Sequence, residues 1–211
     1  MNNGAQEAFT HIYNNGTWKG SWETRDGYGS TLEYTRTIRE TLPPLLKKYE
    51  IKSMLDASCG EFTWMREVDL TGIRYIGGEI VAEKIEKLKV DFPQHEWLHL
   101  DIIEDDLPEV DLWMCRDTIF HFPHEHVKKT LENFLRSKIK YLLISSHPEV
   151  DNHNIDSFGD FNHINFDREP FNFPAPLDLI DDTEPGFPLK RNMHLYRRED
   201  LANFEYMNGK V

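Results

Sequence analysis

Cysteine is nearly missing from this sequence: Cys59 and Cys115 are the only two. Two thiols so far apart make neither a disulfide framework nor a zinc ribbon, so a reducing, cytoplasmic setting is expected. Each is read as a small buried residue rather than a nucleophile. No apolar run approaches the roughly 20 residues a membrane helix needs, so no membrane partner is expected. MNNGAQEAFTHIYNNG, at the start, has neither a basic nor an apolar stretch, and no signal peptide is expected there. Positive charge is scarce too, with 24 Lys+Arg against 37 Asp+Glu and a net charge of -13. Phosphate chains would be repelled on approach, which argues against nucleic acid as a partner. Internal repeats and low-complexity tracts are absent.

What remains is ordinary globular material. The 211 residues are 39% hydrophobic and 12% aromatic, enough for one domain with a full core. The first thirty residues read as irregular, since TWKGSWETRDGYGS has the glycine-rich chemistry of loops. From Thr31 to Tyr49 the apolar spacing turns helical, with Pro43 and Pro44 expected to divide or kink the stretch. Strand runs then follow at SMLDAS, IRYIGGEI, HEWLHL, DLWMC and YLLISS. Helical patterns lie between them at VAEKIEKLKVDF and HEHVKKTLENFLRS, with a helical turn between Thr63 and Val68. LDLID and MHLYR supply two last strands. This alternation predicts an α/β three-layer sandwich, with a mainly parallel sheet and ligands at the strands' C-terminal ends. Between His147 and Pro176 periodicity is lost. Phe158, Phe161, Phe166, Phe171, Phe173 and the nearby Phe187 suggest a packed excursion rather than a disordered one.

The sharpest motif is Leu55-Asp56-Ala57-Ser58-Cys59-Gly60-Glu61-Phe62 after the first strand run. Small residues there let a backbone approach a ligand, and a following helix N-terminus would offer free N–H groups. Glu79, in Gly77-Gly78-Glu79-Ile80, falls about where a ribose-binding acid is expected after a glycine turn. Asp101, in Leu100-Asp101-Ile102, is placed to reach an exocyclic amine while Ile102 covers the ring. The fourth strand run ends in Cys115-Arg116-Asp117, with His121 just beyond.

Together these segments resemble the class I S-adenosylmethionine (SAM)-dependent methyltransferases. LDASCGEF is similar to that family's first motif, with Ser58 in place of its first glycine and Glu61-Phe62 where another small residue often lies. GGEI resembles the second motif and LDI the adenine motif. The likeness runs from Ser53 to Ser146. A narrower one, through IYNNGTWKGS, the GYGSTLEYTRTIRETLPPLL run, CRDTIFHF and PFNFPAPL, is to a bacterial and large-DNA-virus subgroup associated with glycan modification. The resemblance implies a seven-stranded Rossmann-like fold. It implies SAM as cofactor and O-methylation of a sugar hydroxyl, rhamnose being one instance, with the chain forming part of a larger glycan-assembly protein. Expected cofactor contacts are Asp56, Ser58, Cys59, Gly60, Glu61, Glu79, Ile80, Asp101, Ile102 and Arg116. Arg39 is a further one, toward the cofactor carboxylate.

A sugar hydroxyl is barely acidic, so a base is sought at the acceptor rim. His121 has the intrinsic pKa for the task. Asp117 would orient it or replace it, and His147 is the reserve. One domain is expected, with residues 1–50 as an N-terminal cap and 51–146 as the cofactor-binding core. Residues 147–176 would be an acceptor-site loop and 177–211 the final strands. His147, Asp151, His153, Asp156, Asp160 and His163 match no compact ligand spacing, and no metal is expected. Other acceptors in view are a small metabolite and a protein side chain. Rival classes are an NAD-dependent oxidoreductase, which the missing G-x-G-x-x-G disfavours, and a non-catalytic interaction module of the same fold.

Overall fold

The computed structural model describes residues 4–19, 23–183 and 189–202. Its elements are α1 (Ala5–Asn15), α2 (Arg36–Lys48), β1 (Ser53–Ala57), β2 (Arg74–Glu79), α3 (Ala82–Asp91), β3 (Glu96–His99) and β4 (Leu112–Cys115). After these come α4 (His124–Arg136), β5 (Tyr141–Ser146), β6 (Asp178–Asp181), β7 (Asn192–Arg197) and α5 (Arg198–Ala202). All strands join one 7-stranded sheet in the order β3-β2-β1-β4-β5-β7-β6. The first five are parallel; β7 enters antiparallel between β5 and the edge strand β6. The expected three-layer α/β architecture is therefore present.

Side-chain alternation explains the layers. Along β4, Trp113 and Cys115 face one core while Leu112 and Met114 face the other, as the two-residue period of a strand requires. The first core takes Val127, Leu131 and Phe134 from α4; the second takes Ile38, Leu42, Leu45 and Leu46 from α2 and Ile85 and Leu88 from α3. The segment after β5 packs as its phenylalanines suggest. Phe166, Phe171 and Phe173 are buried in the first core, whereas Phe161 is 54% exposed. Phe187 lies outside the described residues.

Three sequence expectations need correction. The first thirty residues hold a helix: Ala5, Phe9, Ile12 and Tyr13 recur at helical spacing, and Gly16 closes α1 in a left-handed conformation. α2 runs unbroken through Pro43 and Pro44, because the buried Ile38, Leu42, Leu45 and Leu46 hold both of its ends against the sheet. No α-helix follows β1, only a 3₁₀ turn at Met65–Glu67, so no helix N-terminus faces the motif. β3 passes to β4 without a helix between them, in keeping with the sequence reading of HEWLHL and DLWMC as successive strands.

Candidate functional site

The C-terminal ends of β1, β2 and β4 and the turn after β3 open onto one pocket of about 1050 Å³, counting its mouth. Asp56 enters it from β1. Its carboxylate is buried and accepts a bond from Tyr75 Oη at 2.7 Å, and burial pushes its pKa up to about 7. Ser58 ties the turn to the end of β4, its Oγ lying 3.1 Å from Thr118 Oγ1. Cys59 N–H donates to the Gly78 carbonyl at 2.9 Å, fastening the turn to β2. Phe62 takes no part in the pocket and packs against Tyr75, Phe92 and Trp97.

Gly60 has φ +56°, and a Cβ there would collide with the Asp26 carboxylate. Asp26 comes from the N-terminal segment and accepts the Glu61 N–H. The Glu61 side chain answers by accepting from Arg25 N–H at 2.9 Å, Thr24 Oγ1 at 3.1 Å and Tyr13 Oη at 3.4 Å. Glu61 thus fastens the N-terminal segment and does not line the pocket, contrary to its expected cofactor role.

Glu79 is buried at the end of β2, accepting from Val81 N–H at 3.1 Å and from Lys84 Nζ at 3.3 Å. Lys84 also donates to Asp26 Oδ1 at 2.6 Å. Burial alone would lower the lysine's pKa, but Asp26 and Glu79 together raise it. Ile80, Asp101 and Ile102 complete this end of the pocket.

At the other end stand Arg116, Asp117, Thr118 and His121. Arg116 donates from Nε to Asp182 Oδ2 at 2.8 Å and from Nη1 to the Gly29 carbonyl at 2.9 Å, and its guanidinium lies 5.2 Å from the Trp64 ring. Arg191 bonds Asp117 Oδ2 at 2.6 Å and lies 2.7 Å from Asp182. Two arginines and two aspartates therefore form a buried neutral cluster that joins β4, β6, β7 and the N-terminal segment. Burial opposes ionisation of Asp117, but Arg116 and Arg191 outweigh it and hold its pKa below the usual value.

His121 Nδ1 lies 2.9 Å from the Asp160 carbonyl. A carbonyl can only accept, so Nδ1 carries the proton and Nε2 keeps its lone pair. Burial lowers the pKa of this imidazole. The group that orients it is thus the Asp160 carbonyl rather than Asp117. His147 does not line the pocket; it is buried edge-on to Phe120 and His163, and burial with His163 nearby lowers its pKa to about 4. Arg39 is elsewhere, its Nη2 donating to the Leu32 carbonyl at 2.8 Å. No residue from 147 to 176 lines the pocket: Ile164, Phe166, Phe171 and Phe173 are buried in the core, while Asp151, His153, Asp156 and Phe161 are exposed. Among the described residues, no three His, Cys, Asp or Glu side chains converge as metal ligands, and no helix is long and apolar enough to cross a membrane.

Sequence reasoning missed Phe9, Tyr13, Trp18, Asp26 and Lys84, all of which line the pocket. The helical spacing from Ala5 to Tyr13 was the available signal for the first two. Lys84 follows Glu79 by five residues, on the first turns of α3; nothing local marks Asp26.

No protein-family model matches this sequence, and no curated protein is similar to it. Solved structures are similar in fold. The N-methyltransferase NodS from Bradyrhizobium japonicum WM9, in complex with S-adenosylhomocysteine (SAH), is 10% identical, with TM-score 0.62 over 88% of this chain and 97% of that one. The 1,6-didemethyltoxoflavin-N1-methyltransferase of Burkholderia thailandensis, with its acceptor and SAH bound, is 14% identical, with TM-score 0.62 over 91% and 86%. Magnesium protoporphyrin IX methyltransferase from Synechocystis PCC 6803 with bound SAM is 11% identical, with TM-score 0.61 over 91% and 97%. The chain has the Rossmann-like methyltransferase fold.

Proposed function

We propose that this chain transfers a methyl group from SAM to a hydroxyl group, on a sugar of a glycan. The observation that carries the reading is a single pocket, at the strand ends of a methyltransferase fold. It brings Asp56, Gly60, Glu79, Asp101 and Ile102 together with an imidazole whose Nε2 lone pair is unclaimed.

The donor set fits the cofactor. Each Glu79 oxygen accepts one protein N–H and has a further lone pair for a ribose hydroxyl. Ile80 and Ile102 offer apolar cover for a planar base, and Asp101 an acceptor for its amine. Arg116 Nη2 is buried without a partner and suits the amino-acid carboxylate. When bound, SAM supplies a methyl group on a sulfonium sulfur that leaves with the bonding pair as the acceptor oxygen attacks. His121 Nε2 takes the hydroxyl proton as that bond forms. The Asp160 carbonyl keeps the imidazole in the receptive tautomer, and burial keeps it neutral. Asp117, held ionised by two arginines, is a weak base and serves by its charge. Holding the reactants in line supplies much of the remaining acceleration.

Phe9, Trp18 and Phe122 line the pocket, and exposed Phe161 stands beside His121; aromatic rings of this kind suit the C–H faces of a sugar. A small metabolite is the second acceptor class, favoured by the cover that Phe9, Ile12 and Tyr13 lay over the pocket. Titration calorimetry of wild type and Glu79→Ala with SAH and with NAD tests the cofactor. SAH should bind the wild type and NAD should not. Glu79→Ala should lose tenfold or more, from hydrogen bonds worth roughly 1.5–3 kcal/mol. Methyl transfer to methyl rhamnoside, followed by mass spectrometry, tests the acceptor. Binding of NAD but not SAH would overturn the reading.

A further inference from the structure

The base is not built by its own strand end. The Trp18 indole is stacked on the His121 imidazole, centroids 4.3 Å apart and planes 27° from parallel. Phe120 meets the imidazole at 4.7 Å and Phe161 at 5.8 Å, both edge-on, while the Asp160 carbonyl takes Nδ1. Without the indole, the ring would keep its one hydrogen bond yet lose the wall that fixes its plane.

Trp18 lies against the turn that carries Asp26: a Cβ at Gly27 would meet the Trp18 carbonyl at 3.7 Å and its Cβ at 3.9 Å. The N-terminal segment grips the cofactor end of the pocket through Glu61 and through Lys84, which bonds both Asp26 and the ribose-site acid Glu79. It grips the other end through Phe9, which packs at 5.9 Å from Trp18 and at 5.7 Å from Phe122. Hence one segment touches both the acid expected to hold the cofactor and the ring expected to take the proton.

We propose that Trp18 is a positioning residue for His121, and that cofactor binding and assembly of the base are coupled through the N-terminal segment. This rests on the reading of the pocket as a SAM site with His121 as its base. A ligand that contacts Glu79 bears on Lys84 and Asp26, steadies the segment, and thereby steadies the indole against the imidazole. The indole also keeps water from one face of the ring, which favours the neutral form. Among the charged groups around the ring, Asp117 pulls the other way, with Arg116 and Arg191 neutralising it. His163 stands beyond Phe161, and His147 beyond Phe120.

The test uses the full chain as wild type, Trp18→Ala and Trp18→Phe, with SAH as the added ligand. The His121 ring signals are followed by NMR across pH, with His121→Ala for assignment, and SAH affinity is measured by calorimetry. In the wild type, SAH should shift the His121 signals, and the ring should titrate below the ordinary imidazole value. In Trp18→Ala, SAH affinity should change by at most a few-fold, the SAH-induced shift should vanish, and the midpoint should rise toward that ordinary value. Trp18→Phe should restore part of both. A His121 midpoint and SAH response unchanged in Trp18→Ala would overturn the proposal, as would a wild type that binds SAH with no response at His121. A wild type that does not bind SAH at all fails at calorimetry, and sinks the SAM reading together with this inference.

Discussion

At the scale of single residues, the proposed function makes different demands on the His121 end and the Glu79 end of the pocket. A base contributes roughly 10²–10⁴-fold to a rate, and a contact made only in the transition state lowers kcat rather than raising KM. His121→Ala should therefore lower kcat by at least two orders of magnitude, with SAH affinity within a few-fold. Because burial depresses the His121 pKa, the wild-type rate should hold through neutral pH and fall only below the usual imidazole midpoint. A near-normal kcat in the variant would remove His121 from the chemistry. Asp56 makes a separate prediction, about stability. Its pKa rises from 3.8 to about 7 on burial, so its contribution is fully present below the unfolded value and is lost as pH climbs through the folded one. Asp56→Asn keeps an oxygen for Tyr75 and cannot ionise. Urea midpoints measured from pH 4 to 8 should show the variant gaining on wild type by up to a few kcal/mol, since each tenfold difference in proton affinity is worth about 1.4 kcal/mol. Parallel curves would mean that the Asp56 carboxyl titrates alike in the folded and unfolded chain. Of the expected pocket residues, Asp56, Gly60, Glu79, Asp101 and His121 were legible because strand ends and turns announce themselves locally. Glu61 and His147 misled because each is claimed by a partner distant in sequence, Arg25 and Ile164, and Arg39 because its guanidinium turns back to the Leu32 carbonyl just ahead of its own helix.

At the scale of elements, α2 carries the oddest local chemistry. Pro43 and Pro44 each remove a helical N–H, and an interior proline costs ~3 kcal/mol. Tertiary burial of Ile38, Leu42, Leu45 and Leu46 outweighs that cost, which is why helix propensity alone pointed to a break. Pro44 is exposed, so Pro44→Ala should restore a hydrogen bond to the Glu40 carbonyl without disturbing the core. We expect a gain of about 1–3 kcal/mol in urea unfolding; no gain would mean that the helix is already relaxed around the proline. The central strands β1, β2, β4 and β5 were readable because buried parallel strands give apolar runs that loops do not imitate. α1 was not: Gly4, Asn14, Asn15 and Gly16 surround a short apolar stripe with turn residues.

For the whole molecule, the N-terminal segment closes a pocket whose floor is the sheet, so a ligand inside should resist unfolding of both. At a hundredfold excess over its Kd, a ligand adds about 2.7 kcal/mol, and a chain of this size gains roughly 2–4 °C in Tm per kcal/mol. SAH should thus raise Tm by roughly 5–10 °C, read by thermal scanning, while NAD leaves it unmoved. An equal rise with NAD would point to a nucleotide site of broader kind. The layer architecture was visible in the alternation of strands and helices, but the closing of the pocket was not. It depends on contacts between residue 26 and residues 60 to 84, and no local pattern encodes a distance of that kind.

The missing Cβ at Gly60 carries a consequence for descent. The space it leaves is filled by Asp26, so a lineage cannot enlarge residue 60 while keeping an acid at 26. Nor can it lose the acid without stranding the Lys84 ammonium beside Glu79 alone. Positions 26, 60 and 84 should accordingly be inherited as a set, changing together or not at all. A related chain holding an acid at position 26 with a bulky residue at position 60 would break that rule.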